Sequence, residues 1–122
     1  MSTVISLHSA MAWVVIFATG SAGAWATLAH WFEGMRVRGL WLAQHVSHAL
    51  VVTQVVLGSI IVGFGDVEAD QTHTFYGFLT FVGVGLIVGY RHLSEYKYLL
   101  YGLGGLFIMG LSIRALLLDA VV

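Results

Sequence analysis

Four apolar stretches, each close to the length that crosses a bilayer, take up almost the whole of this chain. A spanning helix needs about 20 mostly apolar residues. The stretches at about 7–32, 39–64, 72–90 and 97–118 meet that requirement. Short connections force neighbouring helices antiparallel. The expected fold is therefore all-α: an integral membrane, antiparallel four-helix bundle. Residues 1–122 read as a single four-helix transmembrane domain, with little chain left for a soluble one. Of the 122 residues, 59% are hydrophobic and only 9% are charged. The mean hydropathy is +0.92, far more apolar than a soluble domain of this size requires. The first apolar run lacks a basic leading segment, so it does not look like a cleaved signal peptide.

Several chemistries are excluded at once. There is no cysteine, so disulfides, thiolate catalysis and cysteine-ligated iron–sulfur clusters are out. There is no proline, so the helices should run without proline kinks. No basic run suggests nucleic acid. No Ser-His-Asp pattern, glycine-rich phosphate loop or paired-carboxylate site is present. The pair His45-x-x-His48 has no neighbouring carboxylate to complete a tetrahedral zinc site.

The basic residues set an orientation. Arg36 and Arg38 fall between helices one and two, and Arg91 and Lys97 between helices three and four. Only Arg114 falls on the other side. The positive-inside rule places the loops at 33–39 and 91–97 in the cytoplasm, and both termini outside. A prokaryotic cytoplasmic membrane is the expected location. The loop carrying Asp66, Glu68 and Asp70 then faces outward. It is read as a solvated loop in which Asp70 or Thr72 caps helix three. Binding a cation, or docking a basic soluble electron carrier, is the alternative.

The six histidines all lie within a turn or two of a helix end. Ionisable side chains inside a membrane mark functional sites by default, although the cost falls near the ends. On helix one, His8, Ala12, Val15, Thr19, Gly23, Ala26 and His30 follow one another in steps of three or four, along one face. Small residues there permit close helix packing, or leave room for something flat. In an up-down bundle helices one and three are diagonal. His8 and His73 then stand at similar depth on opposite sides of the core, with Ala12 and Gly77 one turn below them. This arrangement suits two axial ligands to a haem iron. Arg114, at a similar depth on helix four, is the candidate partner for a haem propionate. Its alternative is snorkelling outward, or pairing with Asp119 or the loop acids.

At the inner end His30 and His92 form a candidate pair for a second haem, roughly 30 Å from the outer pair. His45 and His48 are candidates for a ligand, a quinone hydrogen-bond donor or a proton relay. Gln54, near mid-span, is read first as a hydrogen bond to a neighbouring helix. The cluster Tyr96, Tyr98 and Tyr101 reads as an interfacial anchor.

The order His8, then Gln54-Val-Val-Leu57-Gly58, then His73 resembles one four-helix half of haem A synthase, and more loosely other small b-type membrane cytochromes. The resemblance implies that His8 and His73 ligate a b-type haem at the outer end. Two departures limit it. This chain has one set of four helices, and its acidic residues lie in a different loop. The synthase activity is therefore not carried over. The segment HTFYGFLTFVGVGLIVGYR also looks like small accessory membrane proteins of respiratory complexes.

Three functions remain in play. The first is a membrane-embedded electron-transfer protein or respiratory-complex subunit holding haem b, one or two per chain. It would not be an enzyme on its own, and quinone would meet it at the inner end. The second is a haem-free structural subunit of a larger complex, with its glycine faces as packing surfaces. The third is a small transporter or channel, alone or as a homo-oligomer, with Thr53, Gln54 and the histidines along the path.

Overall fold

The computed structural model describes residues 1–121 apart from 66, 69 and 93, without the side chains of 94 and 119–121. Asp66 and Asp119, weighed above as part of an acidic loop and as an arginine partner, lie outside that description. The chain forms α1 (Ser2–Trp31), α2 (Arg38–Phe64), α3 (Gln71–Gly89) and α4 (Lys97–Val121), with short 3-10 turns at 33–35 and 94–96. No strand occurs among the described residues. All four helices are long and apolar enough to cross a membrane. α1 starts five residues earlier than the apolar run alone suggests. The Ile5 N–H donates to the Met1 carbonyl, so the helical ladder begins ahead of the first histidine.

The distribution of side chains differs from that of a soluble bundle: large apolar side chains cover the outside, and polar ones are buried beside the apolar core. Phe17, Leu103, Phe107 and Phe64 lie exposed on the outside. Thr19, Gln44, Ser47, His48 and Thr80 are buried between helices. In lipid, polar groups belong inside, where another helix or their own backbone can pair with them. Thr19 donates to the Val15 carbonyl at 2.7 Å, and Gln44 donates across to the Ala22 carbonyl of α1 at 2.8 Å.

α1 packs extensively against α4 and α2, and α4 also packs closely on α3. α2 and α3 touch much less. This is the up-down ring that places α1 and α3 on a diagonal. The tightest seam is α1 against α4. A Cβ built on Gly23 would lie 2.7 Å from the Leu106 amide nitrogen and 2.9 Å from the Gly102 carbonyl. Facing it, a Cβ on Gly105 would lie 3.0 Å from the Gly23 Cα. Only glycine lets the two backbones approach this closely. The lower half of the small-residue face on α1 is thus a packing surface. The turn between α1 and α2 is clamped by Arg36, which donates to the carbonyls of Ala29 and His30, both at 2.7 Å. Those carbonyls lie in the last turn of α1, where a cation is favoured.

Gly23→Val should cost about 1–3 kcal/mol by overpacking this seam. Gly110→Val, where a Cβ meets nothing within 4 Å, should stay within about 0.5 kcal/mol. Thermal unfolding in detergent, followed by circular dichroism, compares the two. Equal effects would remove the seam from its place in the fold.

Candidate functional site

A cavity of about 550 Å³ opens at the end of the bundle that carries the N-terminus of α1, where α2 and α3 stand apart. His8 and Ala12 of α1, Gln54 and Gly58 of α2, and His73 and Gly77 of α3 all line it. The His8 and His73 rings meet edge-on across the diagonal. Their centroids are 6.3 Å apart and their planes stand at 80°. The pair expected from helical phase is therefore brought together.

Each ring is positioned by a neighbouring helix. His73 Nδ1 lies 2.7 Å from the Ala115 carbonyl of α4. A carbonyl only accepts, so Nδ1 carries the proton and Nε2 keeps its lone pair for something else. On the other side, Gln54 Nε2 donates 2.7 Å to the backbone carbonyl of His8. Gln54 thus makes the interhelical bond expected of it, while its Oε1 stays buried with no hydrogen-bond partner. Gly58, one turn further along α2, leaves room for the His8 ring. A Cβ there would stand 3.2 Å from His8 Cε1. At Gly77 a Cβ would meet nothing within 4 Å, so the space below His73 is open.

The rim of this cavity includes Glu68 and Asp70. Asp70 occupies the N-cap position of α3 but makes no side-chain cap bond. The helix starts through its backbone instead, with the Thr74 N–H donating to the Asp70 carbonyl. The expected capping by the carboxylate is not made. Arg114 is not brought to the cavity lining. It lies exposed, with its guanidinium 5.8 Å over the Tyr76 ring.

The inner histidines are arranged differently from the pairing expected. An open pocket of about 460 Å³ is lined by Trp41, His45, Arg91, His92, Lys97 and Tyr101. His30 is not part of it. Its ring stands edge-on to Trp31 at 4.9 Å. The inner pocket therefore brings His92 together with His45, not with His30. α3 ends at Gly89, so His92 lies past the helix and the helical phase that pointed it inward does not apply. His48 is 6% exposed and stacks on Tyr101 at 5.6 Å, with both ring nitrogens lacking a hydrogen-bond partner. Trp41 and Tyr101 were not legible as pocket residues. Tyr101 reads as part of an interfacial anchor, yet it is 2% exposed.

Comparison of the chain with protein-family models, with curated proteins and with solved structures gives no match.

Gln54→Leu should cost about 0.5–1.5 kcal/mol by deleting the bond to the His8 carbonyl. Thr53→Val should cost less, because the Thr53 hydroxyl only returns to the Ala49 carbonyl of its own helix. Thermal unfolding of the two variants is the measurement. An unchanged midpoint for Gln54→Leu would sink the assignment of this bond.

Proposed function

We propose that the protein is an integral membrane haem b protein that carries electrons, alone or as a subunit of a respiratory complex, with His8 and His73 as the residues that would hold the haem iron. The observation that carries the reading is the separation of these two rings. An imidazole nitrogen sits about 2 Å from a bound metal and about 1 Å from its own ring centre, so two imidazoles across one metal have centroids about 6 Å apart. The 6.3 Å observed fits that requirement. The hydrogen bond between His73 Nδ1 and the Ala115 carbonyl supports the same reading. Metal-bound histidines almost always donate their other N–H to a carbonyl or carboxylate, which fixes the ring and the tautomer. The cavity volume is in the range of cofactor sites, and the open space at Gly77 suits a flat ring system.

Haem, when bound, supplies the one-electron chemistry. The chain's part is to hold and orient it. His73 presents Nε2 because Ala115 holds Nδ1. Gln54 ties the backbone of α1 at His8 to α2. Apolar residues such as Val15 and Val51 close the inner end of the cavity against water. Arg114 enters the proposal as the cation beside the α4 residues Ser112, Ala115 and Leu116, which line the cavity. In orientation, the loops with Arg36, Arg38, Arg91 and Lys97 are cytoplasmic and the His8–His73 end is outside.

A second reading has one observation in its favour. Gly85 and Gly89, four residues apart on α3, are exposed and open to the outside. Such a pair is a contact surface for another helix, as a packing subunit or a homo-oligomer requires. The channel reading has less support. Gln54 spends its amide on α1, and Thr53 is bonded within its own helix.

A reduced-minus-oxidised absorption spectrum of the detergent-purified protein decides between the first two. Sharp α and Soret bands at one haem per chain are expected. They should be lost in His73→Ala, and Gly77→Leu should empty the cavity of haem without unfolding the bundle. A colourless protein that resists haem loading would make the packing subunit the better account. An unchanged Soret band in His73→Ala would end the ligand assignment. Arg114→Leu is expected to retain haem and to shift its midpoint potential; an unaltered potential removes Arg114 from the site.

A further inference from the structure

The pocket at the inner end has no part in the haem reading. Its lining comes from three places: Trp41 and His45 on α2, Arg91 and His92 in the connection after α3, and Lys97 and Tyr101 on α4. Two of these side chains are cationic and two more are histidines, and none of the lining residues is acidic. The acids of this end, Glu33 and Glu95, are exposed. Among the described residues, none of the four basic groups pairs with a carboxylate.

What orients the cations is neutral. Arg91 Nη1 donates to the Val88 carbonyl at 2.6 Å, within the last turn of α3. Lys97 Nζ stands 4.3 Å over the Trp41 ring, which itself rests against Tyr98 and Tyr101 at 5.3 and 5.1 Å. Neither contact cancels the charge. Arg36, 4.6 Å over Tyr98, extends the same positive rim to the turn before α2. With two cations and no acid among its described lining residues, the pocket suits an anion. A guanidinium fork beside an ammonium matches the oxygens of a phosphate.

We infer that this pocket binds the phosphate of an anionic phospholipid headgroup. A soluble phosphate offers the same oxygens, but two features favour the lipid. The pocket stands at the ends of helices long enough to span a bilayer, at the level where headgroups lie. Next in sequence to the lining residues Trp41 and His45, Leu42 and Val46 are exposed apolar side chains of α2 that an acyl chain would cover. The inference rests on the membrane placement of the bundle and is independent of haem.

Native mass spectrometry of the detergent-solubilised full chain, with phosphatidylglycerol or phosphatidylcholine added, is the test. The wild type should retain phosphatidylglycerol in preference to phosphatidylcholine. The double variant Arg91→Gln with Lys97→Gln should lose roughly tenfold or more of that retention. Arg38→Gln, which removes a charge outside the lining, should not. The swap Arg91→Lys with Lys97→Arg keeps both charges and should preserve binding, which separates charge from folding. Equal retention of the two lipids, or an unaffected double variant, overturns the site. Displacement of the lipid by inorganic phosphate at equal concentration overturns the lipid assignment in favour of a soluble ligand. Haem content read on the same samples is a separate result: lipid selectivity in a colourless protein keeps this site and removes the haem reading.

Discussion

The close approach of α1 and α4 governs the rest of the molecule. Gly23, Gly102 and Gly105 let the two backbones meet with no side chain between them. With α4 drawn onto α1 and α3 drawn onto α4, the ring of four helices has its slack on the remaining side. α2 and α3 are left apart, and the large cavity opens there. Small residues on one seam thus create space on the opposite one. In a bilayer this is an economical arrangement. Lipid tails are as apolar as leucine, so helix association relies on packing and interhelical hydrogen bonds. The bonds from Gln44 to Ala22 and from Gln54 to His8 fix α2 on α1 at two depths along the pair.

The four helices were legible because length and apolarity together leave a membrane-length segment few choices. Pairing of His8 with His73 was legible for a related reason. Both lie within helices, so depth and helical phase carry over from sequence to space. His92 shows where that logic stops, since three residues past Gly89 the phase has no meaning. Arg114 shows a second limit. A long side chain at the right depth still chooses among neighbours, and here it lies over Tyr76. The Ala115 carbonyl that holds His73 had no signal at all, because a backbone group looks the same at every residue. Gly58 was visible within the Gln54–Gly58 motif, but its closeness to the His8 ring appears only once α1 and α2 are packed.

The two ends of the bundle differ in charge as well as in shape. The rim of the larger cavity carries Glu68 and Asp70, while the inner pocket carries Arg91, Lys97 and two histidines. Few charged groups lie between them. The apolar middle, with Val15, Val51, Val84 and Ile108 at its core, offers little to screen one end from the other.

The gap between α2 and α3 also bears on how anything reaches the cavity. Val62 of α2 and Phe78 of α3 belong to its lining and are 51% and 59% exposed, respectively. Where α2 and α3 stand apart, the cavity is thus bordered by exposed apolar side chains, in contrast to its acidic rim. For a flat, greasy ligand the sideways path avoids both the carboxylates and the water above them. Loading would then follow the amount dissolved in the surrounding lipid, and the bilayer would act as the reservoir from which the site fills.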